Sequence, residues 1–193
     1  MMQSFFALID HLNSCAEDER ARVQERVWSA FGVEKAILAL DMSEFSLSVR
    51  RSGILPYLGQ IRRMQVTTAP IVRECGGEVV KYVADNLMAV FPDGAEAVRA
   101  AVMINRELPA SDTGPAVSIG IDHGRFLMIP GADCFGDPVN VAYKLGEDLA
   151  RPGEILVTAA VRARLGEKAG HELREQQVSI SGLEFVAYSV VYS

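Results

Sequence analysis

Asp41 in AILALDMSEFS and Asp85 in EVVKYVADNLMAVF each end an apolar run of strand character. The second is followed at once by another apolar run, as in a tight hairpin. A carboxylate at a strand end leaves a rigid element at the rim of the sheet. Two of them side by side repel unless a cation lies between. Hard divalent ions such as magnesium accept this oxygen-rich setting with few carboxylates, and substrate phosphates complete the shell. In a two-metal arrangement the ions activate an attacking oxygen and stabilise a leaving one. Taken singly, either Asp also suits a turn or a helix cap.

The elements that must position these groups follow from hydropathy and turn signals. A strand over Lys35 to Met42 delivers Asp41. A helix spans Ile54 to Cys75, with Pro56 near its start and Pro70 as a kink or break. Gly76 and Gly77 turn into a strand at Glu78 to Ala84, paired with Leu87 to Phe91, so that Asp85 falls between the two. A helix at Ala95 to Glu107 comes next. The stretch AVSIGIDHGRFLMIP predicts two strands joined near His123 and Gly124. A helix through Val139 to Ala150, a strand at Glu154 to Thr158, a short helix at Ala159 to Leu165 and a hairpin around Gly182 complete the chain. The order β-α-β-β-α-β with appended strands predicts an α+β fold, a ferredoxin-like split β-α-β sheet with helices on one face.

Residues 1–34 read as a separate helical segment. Phe5, Phe6, Ile9 and Leu12 have helical spacing, and Ser14 with Glu17 resembles a capping box opening a second helix. That helix runs to about Phe31 with Val23, Val27, Trp28 and Phe31 as one stripe, suited either to the domain's own core or to a dimerisation or regulatory role.

With 193 residues, 49% hydrophobic and 23% charged, the chain suits one domain with a substantial core. No apolar run approaches the roughly 20 residues needed to span a bilayer. The start MMQSFFALIDHLNSC lacks the basic opening of a secretory signal and carries Asp10, so a cytoplasmic location without membrane attachment is expected. Cys15, Cys75 and Cys134 lack metal-ligand spacing and read as reduced thiols. A net charge of -6 argues against nucleic acid as a partner. It does not argue against a nucleotide, because a few focused cations suffice for one triphosphate.

From Ala36 to about Leu165 the sequence resembles the class III adenylate/guanylate cyclase catalytic domain. The match is carried by LDMSEFS at Asp41, GGEVVKYVADNLMAVF from Gly76, IGIDHG from Ile119, DCFGDPVNVAYKL from Asp133 and the trailing RPGEILVT. The resemblance assigns residues 35–193 to that catalytic domain. It implies conversion of ATP to 3′,5′-cyclic AMP and pyrophosphate by in-line attack of the ribose 3′-hydroxyl on the α-phosphorus. Asp41 and Asp85 would be the metal-binding aspartates, with the Met42 carbonyl as a neutral ligand, for two ions of Mg2+ or Mn2+ per site. Lys81 and Asp133 fall where adenylate-type members place the lysine and aspartate that read the adenine edge. Guanylate-type members resemble each other in having Glu and Cys there. Cys134 is one position off, and an extended segment would point it elsewhere.

Asn140 and Lys144, four apart and so on one helix face, would orient the ribose and stabilise charge on the α-phosphate. Lys144 stands where the family usually has arginine, which keeps the charge and loses the planar fork. Ala84 stands where the family usually has glycine, a strain of about 1 kcal/mol or more if that backbone has positive φ. Tyr143 and Asn86 acquire no role, and His123 reads as structural. The family's metal aspartates and Asn/Arg pair come from opposite subunits, which implies a homodimer with shared sites, paired or controlled by the N-terminal helices. The alternative is a degenerate cyclase-homology domain that binds nucleotide or a protein partner in signalling without turnover. A diguanylate cyclase is disfavoured, because that family's Gly-Gly-acidic-acidic-Phe turn is absent.

Overall fold

The computed structural model describes residues 1–42, 50, 53–109, 116–165, 171–180 and 183–192. In chain order its elements are α1 (Met2–Ser14), α2 (Glu17–Phe31), β1 (Gly32–Met42), α3 (Ile54–Glu74), β2 (Glu78–Val83) and β3 (Asn86–Phe91). There follow α4 (Gly94–Glu107), β4 (Val117–Ile129), β5 (Asp133–Phe135) and α5 (Asp137–Tyr143). A π-helical turn (Lys144–Leu149), β6 (Ile155–Thr158), α6 (Ala159–Leu165), β7 (Glu172–Ile180) and β8 (Leu183–Val191) end the described chain. The strands form one sheet in the order β2-β3-β1-β4-β6-β8-β7, with β5 paired to β4. This is the expected split β-α-β plan with a C-terminal extension.

Alternation along β1 builds two layers. Ala36, Leu38, Leu40 and Met42 enter the cluster formed with α3, α4 and α6. Ile37 and Ala39 face the other way, toward Val139 and Ala142 of α5. The larger helices thus cover one face, and α5 with its π-turn lies on the opposite one. Ile37, Leu38 and Leu40 are wholly buried, and each such side chain contributes about 1.5–3 kcal/mol. As an interior strand paired on both sides, by β3 and β4, β1 holds Asp41 on a fixed support.

Several expectations needed correction. The two strands foreseen on either side of His123 and Gly124 are one continuous strand, β4, with Gly124 opposite Lys35 of β1. The glycine serves packing rather than a turn, since a Cβ there would lie 2.8 Å from the Pro138 ring. Ser14 does not open α2. It closes α1, its hydroxyl donating to the Asp10 carbonyl at 2.9 Å, and α2 starts from Ala16 with no side-chain cap. Of the kink or break foreseen at Pro70, the break does not occur, since α3 runs from Ile54 to Glu74 with Pro70 inside it. The foreseen single helix over 139–150 is α5 followed by the π-turn. The turn around Gly182 lies outside the described residues, although β7 and β8 pair antiparallel on either side of it.

The N-terminal stripe packs on the chain itself. Val23, Val27 and Phe31 are buried. Phe5 of α1 joins Val27, Phe31 and Ile129 in a separate apolar cluster. Phe5 also stacks on Phe135 of β5 at 5.6 Å between ring centroids. The three cysteines are free, with Cys75 and Cys134 buried. Among the described residues no helix is long and apolar enough to cross a membrane.

Candidate active site

Asp41 ends β1, and Asp85 sits in the two-residue turn between β2 and β3, whose register pairs Val83 with Asn86. Since β3 pairs directly with β1, the turn brings Asp85 beside the end of β1. The sharp turn forces Ala84 to φ +49°, the left-handed conformation. The strain anticipated for Ala at this position is therefore present.

The two carboxylates interact strongly. Burial, then repulsion from Asp85 and from Glu147, pushes the Asp41 carboxyl up to about 7, against a hydrogen bond from the Met42 backbone N–H. Asp85 is buried and its Oδ2 accepts a hydrogen bond from the Tyr57 hydroxyl at 3.0 Å. The Tyr57 hydroxyl is in turn pushed well above its usual range, by burial and by its bond to Asp85. Crowded anions on fixed strand ends are what a divalent cation relieves, so the donor set fits one. Among the described residues no group of three or more His, Cys, Asp or Glu side chains is arranged to hold an ion unaided. Phosphate oxygens and water would have to complete the shell, as magnesium sites usually require.

Lys81 and Asp133 are 52 residues apart in sequence and meet across the β2–β5 contact, Nζ to Oδ2 at 2.7 Å. Asp133 Oδ1 accepts from the Cys134 backbone N–H, which fixes the carboxylate plane. Cys134 points into the core beneath α5, as alternation requires, and its thiol is pushed up to about 12 by burial. An ammonium and a carboxylate thus lie side by side at the sheet surface, half-buried.

Asn140 and Lys144 lie one helical turn apart, the Lys144 backbone N–H donating to the Asn140 carbonyl. Both are exposed and line a cavity of about 940 Å³ together with Asp122, Asp137, Glu147 and Glu184. Lys144 Nζ is engaged with Asp148 at 2.5 Å, which raises the lysine's affinity for its proton. Asp41 and Asp85 are not among the residues lining this cavity. Within one protomer the cavity has four carboxylates and one lysine among its described lining residues.

Three residues absent from the sequence-derived set stand beside Asp41 and Asp85: Tyr57, Asn86 and Glu147. A buried tyrosine on the apolar stripe of α3 was the one available signal, because a buried phenol needs a partner.

The geometry has clear relatives. The sequence is 26% identical over 145 residues to an adenylate cyclase of Glutamicibacter nicotianae, covering 75% of this chain and 36% of that protein. The structure matches an adenylate/guanylate cyclase/hydrolase of Silicibacter pomeroyi with TM-score 0.71 and 24% identity, covering 84% of this chain and 98% of the other. It also matches the catalytic core of a rhodopsin-guanylyl cyclase with converted specificity, in complex with ATPαS, with TM-score 0.73, 18% identity and coverage of 83% and 98%. No family model matches the chain. The fold is that of the class III adenylate/guanylate cyclase catalytic domain. The chain spans well under half the length of the curated relatives it matches.

Proposed function

We propose that this chain is an adenylate cyclase converting ATP to 3′,5′-cyclic AMP and pyrophosphate at sites shared by two copies of the chain. The observation that carries the reading is the Lys81–Asp133 pair. A donor and an acceptor beside one another suit the adenine edge, where N1 accepts and N6 donates, and the likeness to adenylate-type members supports that orientation. Asp41, Asp85 and the Met42 carbonyl would hold Mg2+ or Mn2+. When bound, the ions would supply activation of the ribose 3′-hydroxyl and neutralisation of the triphosphate. The acidic lining beside Lys144 agrees with a nucleotide that arrives as its metal complex. Asn140 orients the ribose, and Lys144 meets charge developing on the α-phosphate. Losing the arginine fork reduces turnover by about tenfold to a thousandfold relative to an arginine enzyme. Positioning and charge carry this chemistry, with little covalent work for the protein.

In this reading Asp41 and Asp85 of one protomer face Asn140 and Lys144 of the other. Mixing Asp41→Ala and Asn140→Ala chains tests it: one intact site per mixed dimer restores about a quarter of wild-type activity for random pairing. No recovery, with both variants folded and paired, would sink the shared-site reading. Lys81→Glu with Asp133→Cys should move preference toward GTP.

A second reading is supported by Lys144, which is tied to Asp148 in the present geometry. A domain that binds nucleotide and signals without turnover would keep that tether. Asp148→Ala separates the two, raising activity in an enzyme and leaving a non-enzyme silent.

A further inference from the structure

We propose that Asn86 and Glu147 are positioning residues that together fix the Asp41 carboxylate and link the metal-facing end of each protomer to the turn that carries Lys144. The inference rests on the reading of Asp41 and Asp85 as the metal-holding pair.

The contact is specific. With its amide nitrogen turned toward Asp41, Asn86 has two N–H groups to share among three acceptors, the Leu40 carbonyl at 3.1 Å, Asp41 Oδ1 at 3.2 Å and Glu147 Oε1 at 3.1 Å. The reverse orientation would set the amide oxygen against three oxygens, so the neighbours decide which way it points. Asn86 is itself rigid. It opens β3, directly after Asp85, and its backbone is held by pairing with Val83. The side chain therefore grips Asp41 from the strand that directly follows the other aspartate.

Glu147 reaches this place because the π-turn is seated unusually low on the sheet. A Cβ on Gly146 would lie 2.8 Å from the Ala39 carbonyl oxygen and 2.9 Å from the Gly120 nitrogen. Only two facing glycines allow this approach, and the next residue is then delivered to the end of β1. The wide turn begins at Lys144, so the lysine and Glu147 ride on the same turn. π-Helical turns concentrate at functional positions for such reasons of aim. Glu147 is an outer partner here, bonded to the residue that orients Asp41. An orienting partner of a ligating carboxylate is worth about tenfold to a hundredfold in metal affinity.

The test uses the intact chain at pH 8 and Mn2+ alone, with the free ion read by electron paramagnetic resonance. Binding that Asp41→Ala removes defines the site. Asn86→Ala and Glu147→Ala should each weaken it about tenfold or more, and the double variant should be no weaker than the poorer single within about threefold. Glu147→Gln, which keeps the acceptor oxygen and drops the charge, should bind within about threefold of the wild type. Glu147 is exposed, so its variants retain the fold even where Asn86→Ala does not. Wild-type affinity in Glu147→Ala, losses that multiply in the double variant, or Glu147→Gln as weak as Glu147→Ala would each overturn the pair. Wild-type binding indifferent to Asp41→Ala would overturn the metal reading as well, and so be told apart from failure of the pair alone.

Discussion

Lowering the pH from 8 to 6 should weaken divalent-metal binding by about tenfold, because Asp41 must lose its proton before it can ligate. The magnitude follows from its environment. With the carboxyl pushed up to about 7 by burial, Asp85 and Glu147, the ionised fraction is about nine-tenths at pH 8 and about one-tenth at pH 6. A carboxyl at its ordinary value of 3.8 would be ionised throughout and would give no change. The same raised value sets the sign for stability. The folded pKa lies above the unfolded one, so ionisation opposes the fold, and the metal-free protein loses stability as pH rises from about 4 through 7. Mn2+ reverses that loss, and its stabilising effect is therefore larger at pH 8 than at pH 6. Mn2+ titrations at pH 6, 7 and 8, with thermal melts in parallel, check both statements. Asp85→Asn, which removes one repelling charge, should move the Asp41 midpoint down in carboxyl 13C spectra of the metal-free protein. Affinity flat between pH 6 and 8, with an Asp41 midpoint near 4, would refute the crowding of these carboxylates.

Further outcomes follow from the same geometry. Ala84→Gly relieves the left-handed backbone at φ +49° and should raise stability by about 1 kcal/mol, read as a Tm higher by about 2–4 °C. Tyr57→Phe leaves the buried Asp85 without its phenol donor and should cost about 1–3 kcal/mol in urea unfolding. Gly120→Ala drives a methyl into the Ala142 carbonyl, lifting the π-turn off the sheet at a cost of about 1–3 kcal/mol. Its metal affinity should fall in step with that of Glu147→Ala.

Much of the frame was legible because β1 and β3 are nearly continuous apolar runs. That pattern put Asp41 and Asp85 at strand ends before any fold was in view. What separated Lys81 and Asp133 from ordinary surface residues was the likeness to cyclases, since 52 intervening residues hide their contact from any local pattern. The misreadings have a common cause. Gly124 was taken as a turn because its packing partner, Pro138, lies on a distant element. Glu147 was invisible because an ordinary helical wheel cannot anticipate a π-turn seated on two glycines, and Asn86 acquired no role because its neighbour Glu147 arrives from that turn. Tyr57 was not singled out in the sequence, because the Asp85 that its hydroxyl meets arrives from the next hairpin.

The most direct test of the central claim is product formation from ATP, and separately from GTP, with Mn2+ or Mg2+ over a range of protein concentrations. The account predicts cyclic AMP, a specific rate that rises with concentration, and loss of product in Asp85→Ala. A folded, paired protein that makes no cyclic nucleotide from either substrate would contradict it.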